Sequence, residues 1–391
     1  MDFEFTKEEQ AFRAEAAAFI AEHAATPGVR HDNNYGTRYV DTAPRRQFMK
    51  ELAKKGYLGM CWPKEYGGRG MSEVYDYLLN EELAVQGLAS TGKGVGTIGR
   101  TFILRGTDEQ KKKFLPQILK GEIEWAIGYT EPDSGSDLAS LKLKAVREEG
   151  GWRINGQKRF TSSAHFADWY FFAARTSSDG PKHQGVTLFI LEMNAPGLTV
   201  NPMMCMDGER TNEVFFDDVF VPDNQVLGEL GKGFQYISQA LDFERHIMLS
   251  FGIFQRMYNL YLDWVKTATR DGKPVSKDPA VRKTLARLTM KLEMGRLLNL
   301  KVVATKDPQQ ASITSAMNKL YLSEFAHAVS NGALDTMGPG SWLALGDPDA
   351  PADGVFEQIR RTAILLTVGG GTSEIQRNII ARRGLGLPNP T

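Results

Sequence analysis

Trp152–Phe160 reads WRINGQKRF. It places Asn155-Gly156 between short runs, and that pair is the strongest two-residue signal for a β-hairpin. Working outward, Asp168–Ala174 (DWYFFAA), Gly185–Glu192 (GVTLFILE) and Asn212–Val221 (NEVFFDDVFV) are rich in β-branched and aromatic residues. Gly, Pro, Asn and Asp turns separate them, so the stretch predicts a compact β domain. The pattern changes near Trp125, and on both sides of the β region it is helical.

Upstream, Thr6 and Glu9 form a T-x-x-E capping box, and the following helix carries Phe12, Phe19 and Ile20 on its apolar side. Arg45–Gly56, Glu73–Gly87 and Asp108–Gly121 predict further helices, the last interrupted by Pro116. Downstream, helices are expected over 234–266, 279–305, 310–336 and 373–384, with Gly338–Gly354 as a loop. The expected architecture is α+β and multidomain, with a helical domain over 1–125, a β domain over 126–230 and a helical domain over 231–391.

Composition narrows the function classes. Hydrophobic residues make up 42% and charged residues 24%, enough to bury a large core. Lys+Arg and Asp+Glu both number 47, so no basic excess points to nucleic acid or an anionic membrane. A net charge near zero suits a chain that hides surface in an oligomer. Cys61 and Cys205 lie far apart and outside metal-type spacing, and the six histidines are scattered, so neither a disulfide framework nor a metal site is expected. MDFEFTKEEQ is acidic and unlike a secretory signal, and no apolar run approaches ~18 residues. A cytoplasmic protein without membrane association is expected.

Phe234–Gly252 (FQYISQALDFERHIMLSFG) carries an apolar stripe of Phe234, Ile237, Leu241 and Met248. Glu244 falls on that stripe, and its neighbours three and four residues away are Ala240, Leu241, Ile247 and Met248. None of them gives it an intrahelical ion pair. Desolvation there raises a carboxylate's pKa, which suits a general base. A partly exposed Glu, or one paired across the fold, fits the same pattern.

Three loops carry further chemistry. Tyr129–Asp137 (YTEPDSGSD) offers backbone N–H groups and the hydroxyls of Thr130 and Ser136 to a polar ring edge or a pyrophosphate, or is a plain loop. Phe160 and Ser162 lie two residues apart in KRFTSSAHFADWY, where an aromatic and a hydroxyl on one face suit a flat ring or simply the β core. Gly369-Gly370-Gly371-Thr372 runs into SEIQRNII, giving either an anion-binding helix N-terminus or a flexible loop with Thr372 as N-cap. Gly94-Val-Gly96-Thr-Ile-Gly99 matches G-x-G-x-x-G, but the segment before it reads as helix, so it is a helix-and-turn glycine cluster and not a dinucleotide fingerprint.

In this order, WPKEYGG (62–68), YTEPDSGSDL (129–138), NGQKRFTSSAHFADWY (155–170) and GGGTSEIQR (369–377) resemble the acyl-CoA dehydrogenases over nearly the whole chain. The resemblance implies an N-terminal helical domain, a middle β-barrel-like domain and a C-terminal four-helix bundle. It implies FAD as cofactor and α,β-dehydrogenation of an acyl-CoA thioester, with a base taking the α proton and a hydride leaving the β carbon for flavin N5. By motif position, Thr130 is similar to the family hydroxyl at the flavin pyrimidine edge, and Ser136 to the residue near the pyrophosphate and CoA. Phe160 is similar to the tryptophan packed on the isoalloxazine, and Ser162 to the hydroxyl at N5. Thr372 and Glu374 sit where the family contacts the adenosine-diphosphate end, with Tyr129 and Gly371 as further cofactor positions.

Two departures from the family pattern are informative. Many members carry their catalytic Glu where this chain has Gly370, whose backbone N–H remains as an oxyanion donor. A minority place the base on a helix in a D-x-E-R context, which Asp242-Phe-Glu244-Arg245 matches, with Arg245 helping to hold the site. Typical homotetramers follow an Arg with Phe-Gly to reach a neighbour's FAD. Here Arg270-Asp-Gly-Lys-Pro-Val lacks it, and Asp335 stands where a Gln is usual. Both changes resemble steroid side-chain dehydrogenases that work as α2β2 heterotetramers, which implies a homotetramer or heterotetramer acting on a branched or steroid-derived acyl-CoA. An electron-transfer flavoprotein is the expected acceptor. A flavin monooxygenase on the same fold, or a non-catalytic partner subunit, are the alternatives.

Overall fold

The computed structural model describes residues 4–31, 39–248 and 250–388, with the side chains of 242–248 and of residue 308 left out. Its helices and strands run in the order helical, β-rich, helical. The first helices are α1 (Lys7–Ala24), α2 (Ala43–Lys54), α3 (Glu73–Val85), α4 (Gly99–Arg105) and α5 (Asp108–Leu119). Strands β1 (Trp125–Gly128), β2 (Lys144–Glu148), β3 (Gly151–Lys158), β4 (Trp169–Arg175), β5 (Val186–Glu192), β6 (Leu198–Met204), β7 (Arg210–Pro222) and β8 (Val226–Leu227) follow. Then come α6 (Gly233–Met248), α7 (Phe251–Thr267), a small ribbon of β9 (Thr269–Arg270) and β10 (Lys273–Pro274), α8 (Pro279–Ala304), α9 (Pro308–Met337), α10 (Val355–Val368) and α11 (Ser373–Ile379). Contacts group the chain into two compact units, one of Met1–Arg38, Glu73–Ser90 and Arg245–Thr391, the other of Tyr39–Ser72 and Thr91–Glu244.

In the β-containing unit the strands form one sheet in the order β6-β7-β3-β2-β4-β5-β8, with β1 added parallel to β4. Tyr170, Phe172, Phe189 and Phe216 fill its core from alternate positions of β4, β5 and β7. The Asn155-Gly156 pair is not the expected hairpin turn: β3 runs straight through it. The register on β7 slips there, leaving Asp217 and Asp218 opposite Asn155, and the Asn155 Oδ1 accepts the Asp218 N–H at 2.7 Å. The hairpin is instead Glu149-Gly150, with Gly150 at φ 75°. Asn-Gly marks a need for unusual backbone, and a bulge supplies that need as well as a turn does. Pro116 does not interrupt α5, which continues to Leu119. The glycines of the G-x-G-x-x-G match lie in a helical run of Gly94–Ile98 that continues into α4. A Cβ at Gly99 would stand 2.2 Å from the Trp62 ring, so this glycine is dictated by packing.

In the other unit, α1 begins with the expected capping box: Thr6 Oγ1 accepts the Glu9 N–H at 3.2 Å, and Glu9 returns the bond to the Thr6 N–H at 2.8 Å. Phe12, Ala16, Ile20 and Ala24 make its buried face at a spacing of four, and Arg13 pairs with Glu82 of α3 at 2.7 Å. Helices α7, α8, α9 and α10 share one core that includes Phe254, Met257, Leu288, Phe325, Val329, Phe356 and Ile359. Tyr258 reaches Thr289 of α8 and Tyr261 reaches Thr336 of α9 through hydroxyl–hydroxyl bonds of 2.6 and 2.5 Å. Helix α10 falls where the sequence named no element. Among the described residues, no helix is long and apolar enough to cross a membrane.

The single helix expected over 234–266 is broken between Met248 and Phe251, where Ser250 adopts an extended ψ of 129°. The new helix start is capped from α3. Glu81 is buried, accepts the Ser250 hydroxyl at 2.8 Å and takes N–H bonds from Phe251 and Gly252. Burial raises its pKa to about 7, with the Ser250, Phe251 and Gly252 bonds and the Arg13 charge pulling it back. The folded protein therefore holds this proton between pH about 4.5 and 7 while the unfolded chain has released it, so the contribution of Glu81 to stability is complete below that window and lost as pH rises through it. Replacing Glu81 with Gln fixes the neutral form. Melting temperatures measured across pH 4.5 to 7 should fall less steeply with pH in Glu81→Gln than in the parent chain. Parallel curves would show that Glu81 does not titrate there.

Candidate functional site

The loop after β1 and the end of β3 are joined by a buried ion pair. Lys158 has no exposed surface; its Nζ donates to Glu131 Oε1 at 2.7 Å and to the Tyr129 carbonyl at 3.1 Å. Glu131 also accepts the Lys142 N–H at 2.5 Å and the Leu143 N–H at 2.9 Å. One residue along, the Arg159 N–H donates to the Thr130 carbonyl at 2.8 Å. Tyr129, Thr130 and Glu131 are thus each tied to the β3 end or to the strand approach at Lys142–Leu143. Burial pulls the Lys158 pKa down to about 8, and the Glu131 charge and hydrogen bond oppose it. Ser136 lies exposed farther along the same loop. There, Asp137 is paired with Lys182 at 2.6 Å and bonded to Ser140, which together hold its carboxyl below the usual range.

Next to that junction the chain turns sharply at Phe160–Ser163. Phe160 has φ 55° and Ser163 has φ 78°, both left-handed for residues that carry a Cβ. Thr161 is fully buried: its N–H donates to the Asn212 carbonyl, its carbonyl accepts the Asn212 amide at 2.9 Å, and its hydroxyl meets Tyr170 at 3.1 Å. Beside the anchored Thr161, Ser162 is half-buried and Phe160 faces out. Phe160 is 56% exposed, with the Arg159 guanidinium 5.5 Å from its ring centroid. A large exposed aromatic on an anchored turn, beside backbone and hydroxyl groups, is a surface for a flat, partly polar ring.

In the other unit, the glycine-rich turn before α11 is built by one buried amide. Gln376 has no exposed surface, and its Nε2 donates to the Gly370 carbonyl at 3.2 Å and the Gly371 carbonyl at 3.1 Å. Gly370 and Gly371 have φ of 69° and 95°. A Cβ at Gly371 would lie 2.6 Å from Gln376 Nε2, whereas a Cβ at Gly370 would meet nothing within 4 Å among the described residues. Thr372 caps α11 through the Ile375 N–H at 3.2 Å. The exposed Glu374 carboxyl is lowered by its own backbone N–H and by the Thr372 hydroxyl.

The structure brings Tyr129 and Thr130, just after β1, to the end of β3, where Phe160 and Ser162 follow, and it places Gly370, Gly371, Thr372 and Glu374 in one turn. It holds Arg270 elsewhere: a guanidinium N–H donates to the Thr336 carbonyl, and Asp278 lies 3.8 Å away. Glu244 and Arg245 lie on α6, and their side chains fall outside the described residues. Sequence reading did not single out Lys158, Glu131 or Gln376. Lys158 was within reach, because it falls in step with Trp152 and Ile154, the inward face of β3. Replacing Lys158 with Met strands a buried carboxylate and should cost about 3–5 kcal/mol. Pairing that change with Glu131→Leu should recover most of the loss, as read by chemical denaturation of the four proteins of the cycle. Additive losses would show that the two groups do not act as a pair.

Against known proteins, three family models match in sequence order: the acyl-CoA dehydrogenase N-terminal domain over 6–122, the middle domain over 126–219 and the C-terminal domain over 231–385. The chain is 30% identical over 406 aligned residues to the acyl-CoA dehydrogenase FadE26 of Mycobacterium tuberculosis, with 99% of each covered. Among solved structures it is similar to the Tcur3481-Tcur3483 steroid ACAD, with 36% identity, a TM-score of 0.90 and full coverage of both chains. It is also similar to the ChsE4-ChsE5 complex from Mycobacterium tuberculosis, with 29% identity, a TM-score of 0.89 and full coverage. The order of helical, β-rich and helical parts and the matches along the whole length agree: the chain belongs to the acyl-CoA dehydrogenase family and is an oxidoreductase acting on acyl-CoA.

Proposed function

We propose that this chain dehydrogenates a bulky, branched or steroid-derived acyl-CoA thioester, with FAD as cofactor and Glu244 as the base. The observation that carries the reading is the Gly370–Gly371 turn. It presents backbone where many family members place their catalytic carboxylate, and open space surrounds the position of a Gly370 Cβ among the described residues. A base must then come from another element, and Glu244 on the apolar stripe of α6 is the candidate. The names of the similar structures, one a steroid ACAD, support the substrate class.

The residues present fit FAD. The exposed Phe160 ring offers a face for the flavin, and the family resemblance gives Ser162 and Thr130 as hydroxyls for its edge. Bound FAD supplies the acceptor for the hydride that leaves the β carbon. Glu244 takes the α proton, the general-base role that its place on the apolar stripe of the sequence suggested. The Gly370 N–H, held by Gln376 through the adjoining carbonyls, donates to the thioester oxygen as negative charge develops there. Arg245 supports the base by charge or hydrogen bonding. The proton and hydride together account for the two electrons and two hydrogens lost when the enoyl thioester forms.

A partner-dependent form of this reading is favoured by Arg270, whose guanidinium bonds to Thr336 and faces Asp278 within its own chain. The cofactor contact that family homotetramers draw from this region would then come from a second kind of subunit, and the two-component names of the similar structures are in keeping with that. An electron-transfer flavoprotein is the acceptor carried over from the family. In the assay, FAD-loaded protein, alone or with its partner subunit, is offered straight, branched and steroid CoA thioesters and an artificial electron acceptor. Branched or steroid thioesters should turn over fastest, and Glu244→Gln should keep FAD while losing roughly a thousandfold or more in kcat. Undiminished turnover by Glu244→Gln would remove Glu244 as the base, and preference for straight chains would remove the substrate class.

A further inference from the structure

Lys93 stands immediately before the Gly94–Gly99 cluster, which the proposed chemistry does not use. Its Nζ donates to the Ser162 carbonyl at 3.0 Å and to the Ser163 hydroxyl at 2.9 Å. It thereby grips the two residues that follow the buried Thr161, at the point where Ser163 enters left-handed backbone with φ 78°. Its ammonium also lies 5.9 Å from the centroid of the Tyr39 ring, which in turn packs on Phe166 of the same loop. Arg46 holds the far end of the loop through the Phe166 carbonyl and the Asp168 carboxylate. Two non-glycine residues at positive φ within four positions are costly and persist only where surrounding groups over-determine them. Asn212 and Tyr170 fix Thr161, but among the contacts described above only Lys93 bonds both Ser162 and Ser163.

We propose that Lys93 is a positioning residue that holds the Phe160–Ser163 turn in its ligand-receiving shape and places a fixed positive charge one peptide away from the Ser162 hydroxyl. The proposal rests on the reading of Phe160 and Ser162 as the flavin shelf. A cation behind that hydroxyl favours the extra negative charge of a reduced flavin and makes the cofactor easier to reduce. Lys93 touches neither cofactor nor substrate in this role; it acts through the Ser162–Ser163 backbone and hydroxyl.

The test compares Lys93→Met, Lys93→Gln and Lys93→Arg with the parent holoenzyme, using FAD affinity, the visible flavin spectrum and the flavin midpoint potential. Lys93→Met should weaken FAD binding by about tenfold to a hundredfold, alter the resolved flavin band and lower the midpoint potential. Lys93→Gln keeps an N–H donor without the charge, so it should recover much of the affinity while the potential stays low. Lys93→Arg, with charge and donors both kept, should recover both. If Lys93→Met does not fold, the Gln and Arg variants still separate charge from donor. A folded Lys93→Gln protein with the parent's affinity, spectrum and potential would overturn the proposal. Phe160→Ala and Ser162→Ala distinguish its failure from failure of the underlying reading. If those two leave the flavin spectrum and affinity unchanged, the shelf itself is misassigned; if they alter both and the Lys93 variants do not, only the role of Lys93 falls.

Discussion

The buried pair of Lys158 and Glu131 is the constraint on which the β-containing unit's site depends. An ammonium and a carboxylate taken out of water are tolerated only when each is also hydrogen-bonded by its surroundings. Here Lys158 takes the Tyr129 carbonyl and Glu131 takes two backbone N–H groups, so satisfying the charges also fixes the backbone of both loops. Once the end of β3 is pinned to Tyr129–Glu131, the chain beyond it has one course. Thr161 is buried against Asn212 and Tyr170, while Phe160 stays exposed beyond the end of β3 and Ser162 is half-buried.

The helical unit solves a different problem with a neutral group. A turn of three glycines has little intrinsic shape, and Gln376 gives it one by donating to two of its carbonyls from a fully buried position. Gly371 is then required by the amide beneath it, and Gly370 by its left-handed φ and not by crowding. A turn of this kind can offer N–H groups but no proton acceptor. In the proposed reading, the backbone turn supplies donors and a helix supplies the base.

Much of this was legible in the sequence, and the misses have physical causes. The succession of helices, strands and helices followed from residue type and period, and the capping box at Thr6 and Glu9 was read correctly because both bonds are local. The Asn155-Gly156 hairpin failed because the dipeptide reports an unusual backbone without saying whether a turn or a bulge uses it. The break before Phe251 was hidden because its cap, Glu81, comes from a helix far away in sequence. The site loops were visible as motifs, since their hydroxyls, glycines and aromatics are compact in sequence. Their supports were not: Glu131 and Lys158 are 27 residues apart, and Lys93 and Ser163 are 70 apart.

The central claim is that the carboxylate of Glu244, not a group in the glycine turn, removes the α proton. Hydrogen exchange at the α carbon tests it without requiring hydride transfer. FAD-loaded protein is held in deuterium oxide with a 3-thia acyl-CoA, which ionises at the α carbon but does not proceed to the enoyl product. The parent protein should incorporate deuterium, Glu244→Gln should lose that incorporation, and adding Gly370→Glu to that variant should restore part of it. Incorporation by Glu244→Gln at the parent rate would contradict the claim.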